Sequence, residues 1–224
     1  MSSSVWLSVT VGLTATLVSL PFAVGLAWFL ERTRSRLRHP IQALIMMPLV
    51  LPPVVTGYLL LRLFSPLGSV GRALAAIGAP VAFHWLGAVV AAAVVGLPLF
   101  VMMSAQSMKA VDPRFEAASA SLGASRWRTF WRVTLPLTWP GILVGAVMAF
   151  ARGLGEFGAT IIVAGRIPGE TETIPLAIYA ELDAPGGEDR VVGLVAVAVA
   201  MCAACVLCAR ALDTWYRRRL ELDR

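Results

Sequence analysis

The chain has 224 residues, is 58% hydrophobic and only 14% charged, and carries a formal net charge of +6 with a mean hydropathy of +0.78. Soluble domains carry about a quarter charged residues. The composition therefore excludes that class and points to a polytopic membrane protein; the alternating runs of about ten residues that a membrane β-barrel needs are absent.

Taken in chain order, the first apolar run, Val5–Leu30, has no charge. Its leader MSSSVW lacks positive charge and the run is too long for the core of a signal peptide, so it is expected to remain as a span. Arg32, Arg34, Arg36 and Arg38 follow it. The second run, Ile41–Phe64, has only Arg62 near its end and contains Pro48, Pro52 and Pro53, then Thr56 and Gly57. Prolines remove backbone donors and bend helices, which fits either a broken helix at a transport pathway or a kink that improves packing.

The third run, Val81–Met108, holds His84 near its start. A basic stretch over 109–134 follows, with Lys109, Arg114, Arg126, Arg128 and Arg132. Within it Asp112-Pro113 predicts a helix start, Gly123 a C-terminal cap and Ser125 a second start. Two short helices joined at Gly123 are expected, the second lying along the membrane surface with Trp127, Phe130, Trp131 and Thr134 on one face. Ala117, Ala118, Ser119, Ala120 and Ser121 make the first a narrow rod, suited to entering a groove on another protein. A connector between spans needs no such element.

The fourth run, Leu135–Val163, carries Arg152 and Glu156. Gly141, Gly145, Ala149 and Gly153 form a small-residue stripe suited to close helix packing, and Arg152, Glu156 and Thr160 recur at the same interval on a neighbouring face. Ionisable residues inside a span face a cavity, a partner or one another. Arg152 and Glu156 either pair along the helix or line a pathway, where Arg152 would counter the charge of an anion. Residues 166–190 hold Glu170, Glu172, Glu181, Asp183, Glu188 and Asp189 against Arg166 and Arg190, with a short helix expected over Thr173–Asp183 that partly buries Ile174, Leu176, Ile178 and Leu182. The last run, Val191–Ala209, is uncharged, and Arg210, Arg217, Arg218, Arg219 and Arg224 close the chain.

These runs predict an all-α protein with about five transmembrane helices, spanning 5–30, 41–64, 81–108, 135–163 and 191–209, in a single domain over 1–224. If the spans alternate, most of the 19 basic residues lie on one side. The positive-inside rule makes that side cytoplasmic, with the N-terminus outside and the C-terminus inside. Arginines beside span ends speak for membrane lipid and against nucleic acid as their partner.

No catalytic constellation is present. A phosphate-binding P-loop requires Lys, and the only lysine, Lys109, lies between Met108 and Ala110. His39 and His84 stand alone, so no metal site is expected. Cys202, Cys205 and Cys208 are spaced by three in the last run and read as small packing residues.

The stretch EAASASLGASRWRTFWRVTLP, residues 116–136, resembles the EAA loop of permease subunits in binding-protein-dependent ABC importers. Gly123, Leu135 and Pro136 fit that pattern and Val133 replaces its Ile, while Glu116 lies seven residues before Gly123 rather than six. PLVLPPVVTGYLLL (48–61), LPLTWPGILVGAVMAFARGLGEFGATI (135–161) and IPGETETIPLAIY (167–179) extend the resemblance, specifically to the permeases of molybdate importers.

The resemblance implies a type I importer permease in the bacterial cytoplasmic membrane, built from two copies of the chain and moving molybdate by alternating access. Sulfate, thiosulfate or tungstate is the nearest alternative cargo. It implies that two separate cytoplasmic ATPase subunits bind ATP and Mg, that this chain holds no cofactor, and that a periplasmic binding protein delivers the oxyanion and is received on the side of segment 166–190. Glu116, Ala117, Ala118, Gly123, Ala124, Arg126, Leu135 and Pro136 would dock the ATPase. Arg152, Glu156, Thr160, Pro52, Pro53, Thr56 and Gly57 are the candidates for the pathway. An ion-coupled secondary transporter would explain the spans but leave the loop 109–134 without work, and a scaffold would recruit a partner without carrying anything.

Overall fold

A computed structural model describes residues 2–33 and 35–222, with the side chains of the last helix described through Trp215. The charges expected at Arg34, Arg217, Arg218, Arg219 and Arg224 lie outside the described residues and side chains. Among the described residues there is no strand. In order, the helices are α1 (Ser2–Arg32), α2 (Arg38–Val50), α3 (Pro53–Phe64), α4 (Ser69–Ala76), α5 (Trp85–Ala110), α6 (Pro113–Ser121), α7 (Arg126–Thr129), α8 (Leu135–Leu154), α9 (Gly158–Val163), α10 (Ile174–Leu182) and α11 (Glu188–Leu222).

Helices α1, α5 and α8 pack on one another and form the core, with α11 lying on α8 and α10. Apolar helices gain nothing in lipid by hiding from water, so close van der Waals contact must hold them. Small residues supply it. A Cβ on Gly145 would stand 3.0 Å from Phe100 and Met103, one on Gly96 would stand 3.1 Å from the Ala149 carbonyl oxygen, and one on Gly153 would stand 3.3 Å from Ala92. Gly141 lies directly on Ser107. The stripe expected on the fourth run is therefore the face that α8 presents to α5, and Phe100 and Met108 fill the space between helices without exposure.

Two spans are broken. Between α2 and α3 the axis turns by 112°. The last bond of α2 runs from the Leu51 N–H to the Met47 carbonyl (2.9 Å), after which Pro52 and Pro53 have no N–H to continue the ladder. α3 restarts with Pro53 in its first turn, where the missing donor costs nothing. The fourth run, expected as one span over 135–163, differs from expectation: α8 ends at Leu154 and α9 begins at Gly158. Gly155 sits at the break, and the Glu156 carboxylate accepts the Ala159 N–H (2.9 Å), a donor that a continuous helix would have used internally.

The broken halves α3 and α9 lie against each other. A Cβ on Gly57 would come within 2.9 Å of the Ala159 backbone, and one on Gly158 within 2.8 Å of Pro53. At that end of the molecule the Phe83 N–H donates to the Val163 carbonyl (2.8 Å), and the Ile174 N–H at the start of α10 donates to Ser8 Oγ (2.8 Å). α10 covers nearly the expected residues and buries Ile174 and Leu176, but Leu182 is exposed rather than partly buried. It falls in the last turn of the helix.

The opposite end collects the C-terminus of α1, the start of α2, the C-terminus of α5, and α6 with α7. This is the pole that holds Arg32, Arg38, Lys109, Arg114, Arg126 and Arg128.

Replacing Gly57 by Val forces side-chain bulk onto backbone that cannot retreat, at a cost of about 1–3 kcal/mol. The detergent-solubilised variant is expected to unfold at a lower temperature than the parent. An unchanged melting temperature would contradict the close approach of α3 and α9.

Candidate functional site

At the basic pole, α6 and α7 form a capped helix–turn–helix. Asp112 Oδ1 accepts the Arg114 N–H (2.9 Å), Pro113 occupies the first turn, and Ser125 Oγ accepts the Arg128 N–H (3.3 Å). Between them Gly123 has φ +78°, a left-handed conformation that glycine adopts without Cβ strain. The Gly123 N–H bonds the Ala120 carbonyl (2.9 Å) and the Ala124 N–H bonds the Ser119 carbonyl (3.2 Å), closing α6. A hydrogen bond of 2.9 Å between Ser119 Oγ and Thr129 Oγ1 joins the two helices.

None of the α6 residues is buried. Ala117 and Ala118 face outward as the narrow-rod reading expects, while Ala124 is half-covered and Arg126 is exposed. Beside them Phe115 is 57% and Leu122 88% exposed. Phe115, Ala118 and Leu122 recur at three and four residues and so share one face. Sequence reasoning passed over Phe115 and Leu122 because it attended to small residues, although their period was visible.

The second helix does not lie apart along the membrane surface. α7 passes through one wider turn, Phe130–Thr134, into α8, so that Arg126–Leu154 is a single 29-residue rod. The Leu135 N–H reaches back five residues to the Phe130 carbonyl. Pro136 would have ended a regular α-helix by clashing with the carbonyl four residues earlier, and the wider turn makes room for its ring. Leu135 and Pro136 therefore belong to the start of the span. Trp127 and Trp131 stay exposed, whereas Phe130 is buried against Trp28 of α1 (ring centroids 5.3 Å apart).

Glu116 turns inward. Its Oε1 accepts from Arg32 Nε (3.0 Å), Arg32 Nη2 (2.7 Å) and Thr134 Oγ1 (2.7 Å). Arg32 Nη2 also donates to the Met108 carbonyl (3.2 Å), one of the last carbonyls of α5, which have no helical partner. Arg32 was expected only as one of a row of membrane-flanking charges, because its partner is 84 positions away. The junction floors an open polar groove of about 960 Å³ that Glu31, Arg38, His39 and Arg126 also line.

The other candidate residues lie at the two breaks. Glu156 is buried (3% exposed) and serves two partners: Oε2 pairs with Arg152 Nη1 at 2.9 Å, and Oε1 takes the Ala159 N–H. One carboxylate thus ties the end of α8 to the start of α9. Thr56, Gly57 and Thr160 are buried where α3 meets α9, with Thr56 Oγ1 lacking a hydrogen-bond partner. Pro52 and Pro53 are exposed, and Arg152 is partly so. Thr160, by contrast, is covered within the chain.

His84 caps α5, with Nδ1 accepting the Leu86 N–H (3.4 Å), and His39 lines the groove. Cys202, Cys205 and Cys208 lie along α11. Among the described residues no three His, Cys, Asp or Glu side chains are grouped to hold a metal ion.

The sequence pattern of the family described as "Binding-protein-dependent transport system inner membrane component" matches residues 19–222. The chain is 47% identical over 199 residues to the molybdenum transport system permease protein ModB of Escherichia coli, covering 88% of this chain and 87% of that one. It is 42% identical over 220 residues to the ModB protein of Haemophilus influenzae, covering 98% and 94%. Among solved structures, a chain of a bacterial ABC transporter involved in import of the acidic polysaccharide alginate shares the fold, with a TM-score of 0.68 at 19% identity over 96% of this chain and 78% of that one.

Substitutions at Glu156 separate its two partners. Glu156→Gln keeps an oxygen for the Ala159 N–H and removes the charge, whereas Glu156→Ala removes both. Loss of a helix-capping oxygen costs about 1 kcal/mol, so the Ala variant is expected to be the less stable by about that amount in thermal unfolding in detergent. Equal destabilisation would mean that the Arg152 pair alone holds the break.

Proposed function

Because the chain belongs to the family of binding-protein-dependent transport system inner membrane components, we propose that it is the permease subunit of an ATP-driven importer that passes molybdate across the bacterial cytoplasmic membrane by alternating access. The observation that carries this reading is the exposed, capped α6–Gly123–α7 element, whose Phe115–Ala118–Leu122 face is left uncovered by the described residues. Solvated connectors do not present such a face; a helix destined for a groove does. Two copies enclose the pathway, and each α6 seats in one of two cytoplasmic ABC ATPase subunits. Those subunits bind ATP and Mg, since a chain whose only lysine is Lys109 cannot supply a P-loop.

The gathering of arginines at one pole supports a cytoplasmic position for it, with the N-terminus outside. At the other pole Arg166 and Arg190 are engaged by Glu172 (2.7 Å) and Glu181 (3.5 Å), which leaves the exposed Glu170, Asp183, Glu188 and Asp189 to set an acidic surface. Such a surface attracts basic residues of a periplasmic oxyanion-binding protein rather than the free anion. Within the membrane Arg152 spends one donor on Glu156 and has others with which to meet a tetrahedral dianion. Molybdate is the cargo favoured by the kinship to permeases of that name.

The test is uptake of labelled molybdate in cells lacking the chain and in cells with it restored. Restored uptake that collapses on ATP depletion and resists excess sulfate is expected. Uptake abolished by sulfate would give the chain a broader oxyanion cargo, and uptake that follows an ion gradient instead of ATP would overturn the reading. In the same assay Gly123→Val, which places a β-branched residue at φ +78° at a cost of about 1–3 kcal/mol, is expected to lose most uptake although the chain still reaches the membrane.

A further inference from the structure

We propose that Arg32 is a positioning residue for energy coupling: with Glu116 and Thr134 it fuses the docking element to the three core helices, so that α6 moves them as one body. The proposal rests on the docking role of α6. Glu116, the one acid of α6, is turned toward the membrane helices of its own chain. A single oxygen, Oε1, receives the Arg32 fork and the Thr134 hydroxyl, all within 3.0 Å. Each contact belongs to a different core element: Arg32 ends α1, Thr134 closes the wide turn that opens α8, and through the Met108 carbonyl the same guanidinium holds the C-terminus of α5.

A push on α6 therefore reaches α1, α5 and α8 through one atom. Those are the helices that pack on one another through buried small residues and so transmit strain rather than absorb it. Two further ties make the element stiff, the Ser119–Thr129 bond within the turn and the Trp28–Phe130 contact to α1. The ion pair itself is about a quarter exposed on both sides and opens on the groove, so water screens it. Its contribution is geometric: the planar fork fixes direction as well as distance, which a lysine would not do.

The complete transporter, two copies of the chain with the ATPase and binding protein in proteoliposomes, tests this when molybdate moved is counted against ATP hydrolysed. Arg32→Ala is expected to keep the ATPase bound and hydrolysing while molybdate per ATP falls about tenfold, within the usual range of coupling between sites. In Glu116→Ala molybdate per ATP is expected to fall by a similar factor. With Cys202, Cys205 and Cys208 replaced by Ala, the pair Arg32→Cys and Glu116→Cys is expected to be uncoupled until a short bis-maleimide joins the two thiols, which restores the ratio. The proposal is overturned if Arg32→Ala leaves molybdate per ATP unchanged, if Glu116→Ala releases the ATPase while Arg32→Ala does not, or if cross-linking blocks transport. Parent transporter that moves molybdate without ATP would instead overturn the docking role on which the proposal rests.

Discussion

One carboxylate oxygen, Glu116 Oε1, organises the basic pole of this permease. It gathers the last residue of α1 and the turn that opens α8, and through Arg32 it reaches the end of α5. Without it α6 would hang from the membrane domain by Val111 and Asp112 on one side and by α7 on the other. With it, an exposed helix that buries nothing of its own acquires a fixed direction. The energy of the pair is small because water reaches it, but direction is what a joint to a motor needs. In the docking role proposed for α6, the exposed Phe115 and Leu122 are the apolar contact and Glu116 sets the orientation.

The opposite end is built on the reverse principle, interruption. Pro52 and Pro53 stop α2 by withholding N–H groups, and Glu156 stops α8 by capturing the Ala159 N–H. Non-helical backbone at membrane depth is tolerated only where its polar groups are satisfied or line a cavity. Here satisfaction is local: Glu156 serves the break on one side, and Gly57 and Gly158 let the two restarted helices touch. Arg152 emerges from this arrangement held by Glu156 and partly exposed. Of the two roles weighed for Arg152 and Glu156, the pairing is observed, with the buried Glu156 also bracing the break; lining a path belongs to the proposed function.

The all-helical fold, the bend at Pro52, the caps at Asp112 and Ser125 and the left-handed Gly123 were legible in the sequence because each depends on residues a few positions apart. The stripe on α8 was legible too, since small residues at a four-residue interval have few other uses in a span. What escaped depends on distance or competition. Arg32 looked like any other membrane-flanking arginine until the fold brought it to Glu116. The break after Leu154 was hidden inside an apolar run, because nothing local says that Glu156 will prefer the Ala159 N–H to a purely side-chain pairing. The merger of α7 into α8 was misread because the aromatic face of Trp127, Phe130 and Trp131 beside Arg128 and Arg132 has the pattern of a helix lying at the membrane surface, and the wider turn that lets the helix run on past Pro136 leaves no such pattern. At the candidate docking surface, Ala117 and Ala118 drew notice for smallness while the apolar face that carries Phe115 and Leu122 went unremarked.

The central claim is that α6 and α1 travel together through the transport cycle. The most direct measurement is the distance between spin labels at Ser121 on α6 and Leu20 on α1, both exposed positions, in a transporter with only one copy labelled. It would be read without nucleotide, with ATP bound and after hydrolysis. The account predicts a separation constant to about 1 Å, the scale on which preorganised contacts shift. A displacement approaching one helical turn, about 5 Å, would show α6 sliding past α1 and would contradict it.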